Sequence, residues 1–486
     1  MTFNHKLILR TVSTIMLFEG IVMIPAALLA LYDKDGASLF GLSASAAILA
    51  VLGIAGILNS LKCEFKIKIR ESYFIVLICW LTVVIGGILP YALSGRGYSF
   101  SESVFESVAG WTTSSAWVID IDDMSRSLLL WKAVTRWFGG MGVILLANMV
   151  LSALGVNGQK LAGAEVTGPE LTKSTAKMLD TIKLTYFIYA CFSLLELLLL
   201  LIGGIPFFDA LINMMSTIST SGILDYQGAL AANFTPFLKG VLVIFSILGS
   251  LNFVIYTGIV RGRLKKSLMD YEMHLFLGMI SVSAVFIAAV LAISGRSGFF
   301  RSLIDGFTGV VSYASTAGFP LEHVNSWPSI CKALLLMLMI IGGSANSTSG
   351  GIKIIRFAVF VKLILRGMYK RIHPRAVKPI MLRNQIISSV NASSISTFIL
   401  LFFSIYLFST ALLSLENFDM ETTLSAPIAL LTNTGSGFGL VANGDFGMYS
   451  VPGKLFCSLL MMIGRLEMYP ILILFSRSYW NSDKAR

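Results

Sequence analysis

Four short polar stretches carry the residue types that could coordinate an ion. They are Thr112-Thr113-Ser114-Ser115-Ala116, Ser219-Thr220-Ser221-Gly222-Ile223, Ser315-Thr316-Ala317-Gly318-Phe319 and Asn433-Thr434-Gly435-Ser436-Gly437, each framed by long apolar runs. Small residues, hydroxyls and a carboxamide are the parts of a cation selectivity filter, in which backbone carbonyls replace an ion's water. A polar loop at membrane depth is tolerated only where protein buries it or where it lines a watery cavity. With residues 115, 222, 318 and 435 as reference points, the spacings are 107, 96 and 117, so one unit recurs four times. Unrelated surface turns would also favour Gly and Ser, but nothing would hold them in this register.

The elements around these loops are membrane spans. The chain is 56% hydrophobic and 13% charged, with a mean hydropathy of +0.80, far from the roughly 25% charge of soluble domains. A bilayer takes about 20 apolar residues per helix. Ten candidates lie near 9–31, 38–61, 72–94, 127–152, 181–203, 236–260, 272–294, 327–369 (interrupted), 385–414 and 452–477. The first is too long for a cleavable signal, and no small-residue cleavage site clearly follows it.

The net charge of +11 reports topology and not nucleic-acid binding. Basic residues collect in alternate loops: Lys62, Lys66, Lys68 and Arg70; Arg261, Arg263, Lys265 and Lys266; Arg366, Lys370, Arg371, Arg375, Lys378 and Arg383; then Arg477, Lys484 and Arg486. Acidic residues favour the other loops: Asp33, Asp35, Asp120, Asp122, Asp123, Asp209, Asp225, Glu416, Asp419 and Glu421. The positive-inside rule then puts both termini in the cytoplasm, and the four polar stretches dip in from outside beneath an acidic rim. Cys63, Cys79, Cys191, Cys331 and Cys457, like the four histidines, are scattered and form no metal-ligand spacing.

The expected architecture is an all-α integral membrane protein. An N-terminal hairpin (1–61) is followed by four pseudo-fourfold span–pore loop–span repeats: 71–152, 181–260, 272–369 and 385–478. Residues 153–180 form a cytoplasmic or interfacial connector. In the first repeat, Ser99 to Gly110 reads as a pore helix with Ser99 or Ser101 as N-cap and Glu102 in its first turn; its carbonyl end faces the filter, where the helix dipole favours a cation. The expected filter residues are Thr112, Thr113, Ser114 and Ser115; Thr220, Ser221 and Gly222; Thr316, Ala317 and Gly318; Asn433, Thr434 and Gly435. Glu196, inside a leucine-rich span, should face protein.

The third returning span departs from the others. It breaks into Gly342-Gly343-Ser344-Ala345-Asn346-Ser347-Thr348-Ser349-Gly350-Gly351 before Ile352-Lys353, a run that cannot be a lipid-facing helix. Halfway down the span, it sits beneath the filter as a candidate gate; the Gly-Lys-Ser/Thr ending of a phosphate loop is missing. Arg465 lies in mid-span and could face the cavity and tie to this loop, or pair with Glu467. The expected gating residues are Gly342, Gly343, Ser344, Asn346, Ser347, Thr348, Gly350, Gly351, Lys353 and Arg465.

With these residues the chain resembles the TrkH-type members of the Trk/Ktr/HKT superfamily of potassium and sodium transporters. The most specific pieces are Gly342 to Lys353, Gly464-Arg465-Leu466-Glu467 and Trp137-Phe138-Gly139-Gly140-Met141-Gly142. The resemblance implies uptake of K⁺, with Na⁺ as second candidate, across the cytoplasmic (inner) membrane. It also implies K⁺ as the filter's ion, a homodimer with one pore per protomer, and no covalently bound cofactor. A cytosolic regulatory subunit with nucleotide-binding RCK domains is a further implication, nucleotide acting only through that partner. The family's filter glycines fall on Gly222, Gly318 and Gly435, with Gly437 a second register, whereas Ser115 replaces the first. In the plant HKT relatives, serine at this position accompanies sodium transport.

Two other classes were weighed. An ion-coupled solute symporter would use inverted repeats, but these repeats run in parallel. An integral membrane enzyme would need a catalytic pair, which Glu196, Arg465 and Glu467 do not form by spacing.

Overall fold

The computed structural model describes residues 4–61, 69–142, 175–223, 235–295, 298–319, 324–375, 379–382, 385–472 and 479. The basic cluster at Lys62, Lys66 and Lys68, the connector up to residue 174, and Asp225, Lys378, Arg383 and Arg477 lie outside them.

The N-terminal hairpin is α1 (His5–Val22), α2 (Ile24–Tyr32) and α3 (Gly36–Asn59). The first repeat follows as α4 (Ile69–Leu93), the short α5 (Phe100–Trp111) and α6 (Arg126–Met141). The second is α7 (Thr175–Ile202), α8 (Phe207–Ile218), α9 (Pro236–Ser250) and α10 (Phe253–Val260), then the small α11 (Leu264–Leu268). The third is α12 (Tyr271–Ile293), α13 (Phe299–Ala314), α14 (Ser329–Ile341) and α15 (Ile354–Ile372). A two-stranded antiparallel hairpin, β1 (Ile380–Leu382) and β2 (Gln385–Ile387), pairs Ile380 with Ile387. The fourth repeat closes the chain as α16 (Ser389–Leu413), α17 (Met420–Leu431), α18 (Val451–Arg465) and α19 (Tyr469–Leu472).

Every repeat therefore reads long helix, half-length helix, returning helix. The half-length helix of the first repeat starts as its sequence predicts: the Ser99 hydroxyl accepts from Glu102 N–H while the Glu102 carboxylate accepts from Ser99 N–H, a capping box. Ser125, Thr235 and Ser450 cap the returning helices with the hydroxyl alone, accepting from Leu128, Leu238 and Gly453 N–H.

The second repeat's outward helix begins at Thr175, within the stretch 153–180. The short β-hairpin lies between the third and fourth repeats of the otherwise helical chain. One sequence expectation is corrected: the third repeat is not alone in having a returning helix that stops short. Helix α6 stops at Gly142 with φ 76°, α9 and α10 meet at 89° across Leu251-Asn252, and α14 stops at Gly342 with φ 70°. Helix α18 gives way at Glu467 and Met468, both with positive φ. Among the described residues, six spans are long and apolar enough to cross a bilayer unbroken, and the α9–α10 pair is a bent seventh.

The physical reason lies in how closely the returning helices approach the half-length ones. A Cβ on Gly139 would lie 2.2 Å from the Trp111 carbonyl oxygen, one on Gly249 2.6 Å from that of Ile218, and one on Gly464 2.1 Å from that of Leu431. In three repeats, then, a returning-helix glycine touches the last turn of the half-length helix. We expect Gly249→Ala and Gly464→Ala each to cost about 1–3 kcal/mol through overpacking. Gly240→Ala, where the added carbon meets nothing within 4 Å, should be neutral or gain up to about 1 kcal/mol. Thermal unfolding of the purified protein in detergent checks the contrast; equal melting temperatures for all three would refute it.

Candidate functional site

The four polar stretches leave the C-terminal ends of α5, α8, α13 and α17 and converge. Each turns through a residue in the left-handed region: Thr113 (φ 57°), Thr220 (φ 53°), Thr316 (φ 58°) and Asn433 (φ 55°). For the three threonines this is a true outlier, costing about 1–3 kcal/mol and persisting only where the surroundings over-determine it; asparagine tolerates it more readily. Here each N–H is held by the carbonyl three residues back: Gly110, Thr217, Tyr313 and Leu430. Four equal turns at spacings of 107, 96 and 117 residues make the internal repeat a geometric fact.

Two residues on, Gly222, Gly318 and Gly435 again have positive φ (86°, 65° and 84°), whereas Ser115 is outside that region. Gly435 thus shares the backbone conformation of Gly222 and Gly318. Gly437 instead bonds Val441 and accepts from the Tyr313 hydroxyl.

The loops touch one another. The Ser221 hydroxyl donates to the Ser114 carbonyl (3.2 Å), and the Ser115 hydroxyl donates to the carbonyls of Thr434 (2.6 Å) and Gly318 (3.3 Å). A Cβ on Gly318 would fall 2.1 Å from the Thr434 oxygen, and one on Gly222 3.2 Å from that of Ala317. Thr112, Thr113, Ser114, Thr220, Ser221, Thr316, Ala317, Asn433 and Thr434 are all buried. The first loop departs from the others at Ser115, whose hydroxyl spends its proton on carbonyls of the third and fourth.

Directly against this ring lies the non-helical stretch Gly342–Lys353. Thr220 Oγ1 donates to Thr348 Oγ1 (3.2 Å), Gly350 N–H donates to Thr316 Oγ1 (2.7 Å), and Thr348 Oγ1 donates to the Gly249 carbonyl (2.9 Å). Ser344 N–H bonds the Ser250 carbonyl, and Phe253 N–H bonds that of Asn346. Gly350 could not be larger: its Cβ would sit 1.8 Å from the Thr432 oxygen. Lys353 is buried, has φ 79°, and gives its ammonium to the Ser349 carbonyl. Ser347 bonds Ser344 and Ser349, and Gly343 accepts from Ile354 N–H, so the stretch is ordered from within as well.

Arg465 reaches this stretch, donating to the carbonyls of Thr348 (2.9 Å), Gly139 (2.5 Å) and Gly140 (3.1 Å). The last two belong to the C-terminal turn of α6, where the helix dipole suits a cation. Glu467 pairs with Arg356 at 2.6 Å, whose guanidinium also covers Phe398.

Sequence reasoning missed two supports. Glu272, on α12, accepts from Ala345 N–H (2.7 Å) and from the Asn252 carboxamide (3.2 Å), tying the Gly342–Lys353 stretch to the α9–α10 bend. Its only signal was a carboxylate at the start of an apolar span. Glu106, on α5, accepts from Val118 and Ile119 N–H with one oxygen and pairs with Lys132 at 2.7 Å with the other, both side chains fully buried. Arg136, one turn on, donates to Ser216 of α8. Glu196 is buried as expected.

Several carboxylates expected to rim the outer mouth do structural work. Asp33 pairs with Arg126, Asp35 with Arg96 and Glu421 with Lys332. Asp120 and Asp419 cap helices, and the Thr422 hydroxyl holds the Asp419 carboxyl below its ordinary range. Among the described residues no group of His, Cys, Asp and Glu could hold a metal ion.

A family model described as TrkH, cation transport protein, matches residues 44–293 and 297–484. The chain belongs to the TrkH family. It is 30% identical over 473 residues to the Trk system potassium uptake protein TrkH of Escherichia coli K12, covering 96% of this chain and 97% of that one. Against the TrkH of Vibrio parahaemolyticus it is 28% identical over 489 residues, covering 99% and 100%. The crystal structure of the potassium transporter TrkH from that organism superposes with a TM-score of 0.86 at 25% identity, over 98% of this chain. As a TrkH-family member the chain is a multi-pass membrane cation transport protein, not an enzyme.

The Glu106–Lys132 pair gives a test of how the first filter loop is held. Glu106→Gln strands a buried ammonium and should cost about 3–5 kcal/mol, seen as loss of monodisperse protein in detergent. Glu106→Gln with Lys132→Met should recover part of it; a single variant as stable as wild type would show that the pair does not support the loop.

Proposed function

We propose that this chain carries K⁺ into the cell through a single-chain filter formed by Thr112–Ser115, Thr220–Gly222, Thr316–Gly318 and Asn433–Gly435, with Gly342–Lys353 and Arg465 as its gate. The observation that carries the reading is the fourfold left-handed turn at Thr113, Thr220, Thr316 and Asn433, a costly conformation whose repetition has a use only if four backbone segments must face one axis. The similarity to potassium uptake proteins supports K⁺ as the ion. The stretch beneath the filter supports gating because it is bonded to filter residues of two repeats, through Thr220 and Thr316, and to the arginine of a third.

The same reading includes both termini on the cytoplasmic side of the inner membrane, following the basic loops. It includes a homodimer and a cytosolic RCK-domain subunit, through which nucleotide would act. Ser115 gives the filter its individual character. Its hydroxyl occupies two carbonyls that a K⁺ ion would otherwise share, which favours weak discrimination or partial Na⁺ transport.

Uptake of radioactive Rb⁺ into proteoliposomes, with K⁺ and Na⁺ as competitors, tests the whole. We expect K⁺ to compete strongly and Na⁺ measurably, and Ser115→Gly to reduce Na⁺ competition. Failure of Rb⁺ to enter even after Gly342–Gly351 is shortened would sink the pore reading; an unchanged K⁺/Na⁺ ratio in Ser115→Gly would clear the serine.

The anchors of the gate make a second test. Glu272→Ala removes the acceptor of Ala345 N–H, and Thr348→Val removes the hydroxyl bridging to Gly249. Each lost hydrogen bond is worth about 1 kcal/mol, so basal Rb⁺ flux without a regulatory subunit should rise about fivefold. Flux equal to or below wild type in both variants would mean that the stretch does not restrain the pathway.

A further inference from the structure

Beyond Ser115 the first loop is bonded to a segment of another repeat. The chain runs on through Ala116, Trp117, Val118 and Ile119, and the connection between α17 and α18 lies along it. Trp117 N–H donates to the Gly444 carbonyl (2.8 Å), and Phe446 N–H donates to the Trp117 carbonyl (2.8 Å). The Trp117 indole N–H donates to the Asn443 carbonyl (3.0 Å). For one residue the two segments therefore pair as parallel strands, Trp117 beside Asp445. Phe446 anchors the pairing: it is fully buried, with Phe105 of α5 at 5.7 Å and Tyr449 at 5.5 Å between ring centres.

Two glycines of the fourth repeat touch Ser115 and Ala116. A Cβ on Gly435 would fall 2.3 Å from Ala116 N and 2.6 Å from Ser115 Oγ, and one on Gly444 3.0 Å from the Ser115 carbonyl oxygen. Both glycines have positive φ, 84° and 79°, which only glycine adopts without strain. One repeat thus surrounds Ser115: its N–H and its hydroxyl both face the Thr434 carbonyl (3.4 and 2.6 Å), and its own carbonyl lies against Gly444. The third and fourth loops are steadied past their glycines by serines of their own half-length helices, Ser312 donating to the Phe319 carbonyl (2.8 Å) and Ser425 to that of Phe438 (3.2 Å). The first loop already has such support in Glu106, so the pairing with Asn443–Phe446 is an addition to it. That addition falls beside the residue that departs from glycine.

We propose that Asn443–Phe446 is a specificity-determining clasp on the first filter loop, with Trp117 and Gly444 as its positioning residues: together they hold the Ser115 backbone so that its hydroxyl stays on the Thr434 and Gly318 carbonyls. Discrimination at the first quarter is then set by the fourth repeat's connection as well as by the serine. This rests on the filter proposed above.

The test is the Rb⁺ flux assay with K⁺ and Na⁺ as competitors, on Trp117→Phe, Gly444→Ala and each of these combined with Ser115→Gly. Trp117→Phe removes the indole N–H that bonds Asn443. Loss of that one hydrogen bond should move the K⁺/Na⁺ competition ratio up to about fivefold, toward that of Ser115→Gly. Gly444→Ala should move it the same way. In the Ser115→Gly background, where no hydroxyl is left to position, neither should move it further. Gly95→Ala, at a glycine of similar φ (67°) with open space around it, should keep the wild-type ratio, which separates the clasp from backbone strain alone. The proposal is overturned by a wild-type ratio at normal Rb⁺ flux in Trp117→Phe, by shifts that add in full to that of Ser115→Gly, or by Ser115→Gly matching wild type. Trp117→Phe decides the matter even if Gly444→Ala does not fold. Absence of Rb⁺ flux in wild type would instead count against the filter itself.

Discussion

Polar backbone at membrane depth must find its hydrogen bonds inside the protein, and the whole molecule answers to that demand. Four loops leave four helix ends in the middle of an apolar scaffold. Each is stabilised by a left-handed turn whose N–H bonds back into its own helix. The helix ends themselves lie against returning-helix glycines at Gly139, Gly249 and Gly464, where no side chain would fit. Bringing two backbones that close in turn limits how far the returning helices can continue, and each breaks a few residues later.

The same constraint explains how charge is carried inside. Arg465 donates to three carbonyl oxygens, two of them in the last turn of α6. Lys353 likewise leans on the Ser349 carbonyl. Cations balanced by dipoles are held less tightly than those in direct ion pairs, and their partners are released whenever the backbone shifts. By contrast, the one fully buried ion pair described, Glu106–Lys132, sits where the first loop must not move: Glu106 also ties down Val118 and Ile119.

Much of this was legible in the sequence. The four loops and their register, the capping box at Ser99 and Glu102, and the helix-breaking run at 342–351 all follow from residue type and spacing. What escaped was partnership with backbone. Nothing in Leu251-Asn252 marks a right-angle bend, because the bend is held by carbonyls of Gly249 and Ser250 bonding a distant loop. Glu467 pairs with Arg356, a residue of another span that nothing in the chain order marks. Glu272 gave no signal beyond an acid at the start of an apolar span, since an alanine N–H leaves no pattern to read.

The left-handed polar loop is written out four times in one chain, and each copy can change alone. In a ring of four identical subunits, any substitution arrives at all four positions together, and whatever the ring meets finds either the old ring or a wholly new one. Here Ser115 alters one quarter of the set while Gly222, Gly318 and Gly435 keep their conformation. A fourfold arrangement carried in a single chain can thus be adjusted in quarter steps, at the cost that the altered quarter must lean on its unaltered neighbours.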